Sequence, residues 1–169
     1  MRHIYLCGQI TGASYSEARY GWREQVFKAL DGRHQPIRKE GGQISRSGLH
    51  DVRCLSPMRN KEHLSDDQAL SPLGKADSVL SCPRGITTRD RWDLSRSTLV
   101  FANLDMGDRV SIGCSIELGW ADILRIPVLA VMPEGNPHDH AMVRELVGWR
   151  VQTVEEGIEV ARALLNEVL

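Results

Sequence analysis

The sequence predicts an α/β fold built on a parallel sheet with helices on both faces. Three observations carry this. The best strand candidates, residues 3–7, 98–104 and 128–132, are continuously apolar rather than alternating, as strands covered on both faces are. Between them lie stretches with apolar residues three and four apart, such as Ala18, Trp22, Val26 and Leu30. Strand and helix patterns alternate along the chain, which calls for crossover connections. With their right-handedness, these give a flavodoxin-like, doubly wound sandwich around a sheet of about five strands.

The elements follow in order. The first strand, 3–7, ends at Gly8, and Gly8-Gln9-Ile10-Thr11-Gly12 reads as a turn. A helix over 15–30 stops at Asp31-Gly32-Arg33. A weak second strand over 51–55 closes at Ser56-Pro57. Residues 56–86 are rich in Pro, Ser, Gly and charge and show no period. Such an insertion is either a functional loop or a disordered segment. Thr87 or Thr88 caps a helix through Ser97, with Asp90 in its first turn. After the strand 98–104 and the loop 105–109, a helix spans 115–125 and Ile126-Pro127 stops it. The strand 128–132 and the loop 133–137 come next. Asp139 then caps a helix through Val147, and 149–151 forms an edge strand. Thr153 caps a last helix with Val154, Ile158, Ala161 and Leu165 on one face. No internal repeat is visible. The expected organisation is one domain, 1–169, carrying the irregular insertion at 56–86.

Composition narrows the function. With 169 residues, 41% hydrophobic and 25% charged, the chain can bury a substantial core. Its net charge of −1 offers no basic surface for a nucleic-acid polymer. No apolar run reaches the roughly 18 residues of a membrane span. Residues 1–12 are too short and too polar for a signal peptide. The four cysteines, Cys7, Cys54, Cys82 and Cys114, form no CxxC pair. They are expected as reduced thiols in a cytoplasmic protein. Cys7 and Cys114 lie in apolar contexts, where a thiol behaves as a small hydrophobe. The cysteine spacing does not suit zinc, and His138 and His140 read as the polar start of a helix. No metal and no cofactor is expected. The chain lacks a P-loop lysine, a GxGxxG turn and a GxSxG elbow.

Carboxylate chemistry remains. Glu117 lies in VSIGCSIELGWA, residues 110–121, between apolar flanks. A charge there is costly unless it faces a cleft or has partners, and open α/β sheets bind ligands at the strand carboxyl ends. Gln9, Thr11 and Ser14 follow the first strand, Asn103 and Asp105 flank the end of the third, and Ser111 precedes Glu117. Cys114, beside a helix start, is a weaker nucleophile candidate because no histidine lies near it in sequence. One carboxylate, Glu117, can attack an anomeric carbon while another, Asp90, manages protons, which is the two-carboxylate logic of glycosyl transfer.

The segments IYLCGQITG, RDRWD, TLVFANL and SIGCSIELGWA, in that order, resemble the nucleoside 2-deoxyribosyltransferase superfamily, including its 2′-deoxynucleoside 5′-phosphate N-hydrolases. The resemblance leaves out the insertion. It implies that Glu117 is the nucleophile, that Asp90 handles the leaving base and its proton, and that Tyr5 positions the nucleophile. It implies substrate contacts from Gly8, Gln9, Thr11, Asn103, Ser111 and Gly113. It also implies that His140 and Met142, in the segment 140–144, reach a neighbouring subunit's site. Ser111 stands where the free-nucleoside transferases carry Asp, as in members acting on 5′-monophosphates. Gln9 and Thr11 stand where those members would have Ser and Arg.

The resemblance therefore implies cleavage of the N-glycosidic bond of 2′-deoxynucleosides or their 5′-monophosphates, leaning to monophosphate hydrolysis. The alternatives are base exchange on free nucleosides and a non-catalytic nucleotide-binding module. The expected partners are a small-molecule nucleoside or nucleotide and further copies of the chain, as a homodimer or higher oligomer. Trp22, Trp92 and the insertion are candidates for shaping the base pocket.

Overall fold

A computed structural model describes residues 1–34, 38–40, 43–45, 49–65, 69–71, 73–75, 78–105 and 107–167. The chain opens with β1 (Arg2–Gly8), followed by α1 (Tyr15–Tyr20) and α2 (Trp22–Leu30). β2 (Arg38–Glu40) and β3 (Gln43–Ser45) pair as a small antiparallel ribbon. Then come β4 (Val52–Leu55), a 3-10 turn (Glu62–Leu64), α3 (Pro83–Ser95), β5 (Leu99–Asn103) and α4 (Ile112–Ile123). β6 (Val128–Val131), α5 (Ala141–Leu146), β7 (Trp149–Val151) and α6 (Val154–Glu167) complete it.

Five strands form one sheet in the order β4-β1-β5-β6-β7, every neighbouring pair parallel. This is the expected flavodoxin-like arrangement. The chain steps outward from β1 to β4 and then crosses to the other side at β5. The order therefore reverses between β1 and β5, and the crevice of such a fold lies at their carboxyl ends. Those ends, Gly8 and Asn103, face each other in register.

Alternation along the strands splits the core into two layers. Ile4, Leu6, Leu99, Phe101, Leu129 and Val131 pack against α2 and α6, where Trp22, Val26, Ile158 and Ala161 meet them. Tyr5, Cys7, Val100, Ala102 and Ala130 face Leu94 of α3 and Cys114, Leu118 and Ala121 of α4. A third, smaller cluster joins Tyr15 and Ala18 to Met58, Leu64 and Leu70, so part of the insertion is packed. Its residues 66–68, 72, 76 and 77 lie outside the described residues.

Several boundaries differ from expectation. The helix expected over 15–30 breaks at Gly21, whose ψ of −128° is not helical. Ser14 caps its first half with a reciprocal Ser14–Glu17 box. α3 starts before Thr87: Cys82 is the N-cap and Pro83 opens the helix, inside the stretch read as irregular. Pro at the first helical position loses no bond that the helix would make. α4 starts at Ile112 with Ser111 as its cap, not at Ser115. His140, not Asp139, caps α5; Asp139 instead pairs with Arg144 and Arg150. Among the described residues, no helix is long and apolar enough to cross a membrane.

Candidate active site

Glu117 and Tyr5 meet at the β1 side of the crevice. Tyr5 points from β1 toward α4. Glu117 lies on the second turn of α4, three residues after Cys114, so both side chains turn toward the sheet. The Tyr5 hydroxyl donates to Glu117 Oε1 at 2.9 Å. Tyr5 is fully buried, and Glu117 keeps part of its surface open. Burial, then the neighbouring Cys114 and Asp90, push the Glu117 carboxyl up to about 8, while its bonds to Cys7 and Tyr5 resist the shift. Burial first, and Glu117 second, push the Tyr5 hydroxyl well up, so it stays a donor.

Two sulfurs lie under this carboxylate. Cys7, Cys114 and Glu117 each place a donor atom within 4.8 Å of the others. The Cys7–Cys114 hydrogen bond is the largest influence on both thiols; it raises Cys7 and brings Cys114 down to about 7.

Asp90 comes from α3 and is 4% exposed. Among the described residues its Oδ1 has no hydrogen-bond partner, and Arg89 Nε stands 4.0 Å away. Burial pushes this carboxyl up to about 6, against the pull of Lys61 and Arg89. A carboxyl with that value suits proton transfer near neutral pH. The motif Arg89–Asp93 divides its work. Arg89 donates to the carbonyls of Arg59 and Pro57. Asp93, fully buried, pairs with Arg59 and, at 2.8 Å, with Arg96. Flanking residues thus tie the start of the insertion to α3, and Asp90 is left for the site. The insertion returns a buried Lys61 near Asp90.

Arg23 is a second buried cation. It donates to the carbonyls of Gly8 at 2.6 Å and Ala18 at 2.9 Å, and among the described residues its Nε has no hydrogen-bond partner. The groups whose charges act on it are Cys114, Cys7, Glu117 and Tyr5. Gly8 has no room for a side chain: a Cβ there would lie 2.5 Å from the Trp22 ring and 3.1 Å from the Asn103 carbonyl oxygen.

The start of α4 is held from the β6–α5 loop. Asn136 donates to the Leu104 carbonyl and accepts from the His138 backbone N–H. The His138 Nδ1 faces the same Asn136 oxygen at 3.1 Å, and its Nε2 accepts the Ser111 N–H at 2.8 Å. His138 is buried, and burial lowers its pKa. This network assigns the proton to Nδ1 and makes Nε2 an acceptor.

The structure sorts the other expected residues. Ser111 caps α4 by accepting the Cys114 N–H, and Gly113 is exposed in the first turn. Asn103 is buried at the end of β5 and accepts from the Asp105 N–H. Gln9 bonds the Thr11 carbonyl within the first turn, where Thr11 is exposed. Ser14 is committed to its capping box. His140 and Met142 stand exposed at the start of α5, where the His140 ring accepts the Met142 N–H. Trp22 does not line the crevice, because it stacks on Phe101 in the opposite layer. Trp92 is 64% exposed and lines an outer groove with Trp120 and Ile123. Sequence reading missed Arg23, Lys61, Asn136 and the partnership of Cys7 with Cys114. Arg23 did carry a signal, as a cation beside Trp22 on the inward face of its helix.

No family model matches the chain, and no curated protein matches it. Solved structures that share its fold include the following two. One is a conserved protein from Enterococcus faecalis V583, with TM-score 0.59 and 20% identity, covering 94% of this chain and 96% of that one. The other is the CMP N-glycosidase BcmB of Clostridium botulinum, with TM-score 0.54 and 15% identity, covering 95% and 97%. Both likenesses extend over nearly the whole length of the chain and show a shared fold.

Proposed function

We propose that the protein cleaves the N-glycosidic bond of 2′-deoxynucleosides or their 5′-monophosphates through a covalent glycosyl-Glu117 intermediate. The carrying observation is a carboxylate oriented by a buried tyrosine, with a second carboxyl, Asp90, buried nearby and unpaired on one oxygen. Glu117 attacks C1′ as the C1′–N bond breaks, and the bond's electron pair leaves with the base. Asp90 delivers its proton to that base. In the second step water attacks C1′, Asp90 takes a proton from it, and the ester bond to Glu117 breaks, restoring the carboxylate. Tyr5 holds Oε1, so Oε2 is the attacking oxygen.

A monophosphate with water as acceptor is the favoured substrate. The Ile112 and Gly113 amides open a 12-residue helix beside the Ser111 hydroxyl, and helix N-termini attract anions. The Ser111 N–H is spent on His138, so the phosphate would meet the hydroxyl and the two later amides. The fold neighbour described as a CMP N-glycosidase supports the same direction. The active form is an oligomer. Ile112, Ile116 and Ile123 form an exposed apolar stripe on α4, near 76%, 47% and 79% exposure, and a second copy would cover it and bring His140 and Met142 to the site.

The test is a panel of nucleosides, 2′-deoxynucleosides and their 5′-monophosphates, with free base measured by chromatography. Glu117→Ala should lower the rate by about three orders of magnitude or more. Base release from none of the panel, or a Glu117→Ala variant within tenfold of wild type, would overturn the proposal. Exchange between added bases without net hydrolysis would turn it into a transferase.

A further inference from the structure

We propose that Cys7, Cys114 and Glu117 form a site for one soft divalent cation, zinc or cadmium, and that its occupancy switches the nucleophile off. The switching half rests on Glu117 as the nucleophile; the binding half does not.

The geometry comes first. The two sulfurs and a carboxylate oxygen lie within 4.8 Å of one another. Around a tetrahedral zinc, with Zn–S of about 2.3 Å and Zn–O of about 2.0–2.2 Å, donors stand roughly 3.5–4 Å apart. Small side-chain rotations close that difference. Two thiolates with one carboxylate are the donor set a soft ion prefers over magnesium or calcium. Sequence spacing hides the set because its members come from β1 and from two successive turns of α4.

The surroundings fit a bound ion. Tyr5 already fixes Glu117 Oε1, in the way outer partners orient metal ligands. Cys7 and Cys114 are buried, at 0% and 2% exposure, so the sulfurs are shielded from bulk solvent. Glu117 is not fully buried, and its accessible part provides the path in and leaves a fourth position for water. Charge also balances. Two thiolates and a carboxylate carry three negative charges, and the divalent ion together with the buried Arg23 guanidinium matches them.

Loading needs no redox step. Each thiol, and the carboxyl where it is protonated, gives up its proton to solvent as the metal bond forms. The site therefore strengthens as pH rises. A Glu117 oxygen bound to the ion is no longer available to attack C1′.

The test is a cobalt(II) titration of the intact protein, followed by zinc. Wild type should bind one equivalent with a thiolate-to-cobalt absorption band, and zinc should displace it. Cys7→Ala and Cys114→Ala should each lose the band, and Glu117→Gln should weaken binding by about tenfold or more. One equivalent of zinc should cut base release at least tenfold, and a chelator should restore it. Absence of a thiolate band in wild type, or a band that persists in both cysteine variants, overturns the site. A band without inhibition overturns the switch. A protein that releases no base from any substrate refutes the hydrolase reading, while the cobalt spectrum still decides the site.

Discussion

Removing the Tyr5 hydroxyl tests how the two carboxyls share protons. Tyr5→Phe keeps the buried ring and deletes only the donor of the 2.9 Å bond to Glu117 Oε1. A hydrogen bond to a charged group is worth about 1.5–3 kcal/mol, or about 1–2 pKa units. In the proposed mechanism the reactive form needs Glu117 ionised and Asp90 protonated, yet Glu117 sits at about 8 and Asp90 at about 6. The reactive form is thus the minor protonic isomer, about one part in a hundred for two units of separation. Its share is constant between the two values, so kcat/KM should be a bell with limbs near 6 and 8 that belong to the pair. Without its donor the Glu117 carboxylate is less stable and holds its proton to higher pH. The alkaline limb should move up by about 1–2 units, and the plateau should fall about 10- to 100-fold. The assay is kcat/KM for base release between roughly pH 5 and 10, because kcat/KM reports the free enzyme. The alkaline limb is the one to read, since a monophosphate ionises near pH 6 itself. A rate loss with an unmoved alkaline limb would refute the reasoning, as would an unchanged plateau.

Four further outcomes follow from the same geometry. Asp90→Asn should slow poor leaving groups most, by about 100- to 10,000-fold; equal losses on good and poor leaving groups would make Asp90 structural. Ser111→Asp should lower kcat/KM for a monophosphate several-fold or more and spare the free nucleoside, since two negative groups would meet in a partly dry site; wild-type preference for the nucleoside would reverse the substrate assignment. His138→Leu strips the acceptor from the Ser111 N–H and should raise KM for the monophosphate about tenfold, while His138→Gln, which keeps an acceptor at that reach, should recover most of it; equal losses in both variants would mean the ring only fills space. Ile112→Asp together with Ile123→Asp should dissociate the oligomer in light scattering and lower activity; a fully active wild-type monomer would remove the shared-site idea.

What the chain disclosed follows from where each signal is local. Continuous apolar strands disclosed the parallel sheet, and Glu117 stood out because an unpaired charge between apolar flanks is costly. Asp90 was a weaker signal: the first-turn position expected for it had a sufficient structural reason of its own, and α3, which begins at Pro83, places it a turn further on. Boundaries failed where a cap has no strong preference behind it: Cys82 caps α3 and His140 caps α5, in place of the Thr and Asp nearby. The hairpin of β2 and β3 was not anticipated, since three-residue strands carry no readable period. The deeper omissions are all long-range. His138 sits in a polar HisAspHis run that looks like a simple helix start, yet its Nε2 holds the backbone N–H of Ser111, the cap of α4. Cys7 and Cys114 read separately as small core hydrophobes, and only the packing of α4 on β1 stacks both beneath Glu117. Arg23 reaches the same place from α2 through the Gly8 carbonyl. Sequence therefore disclosed the groups proposed to react, but not the cations and thiols that set their charge. That difference has a cause: a reacting carboxylate breaks a local rule of burial, whereas each supporting group satisfies one and shows its role only through its neighbours.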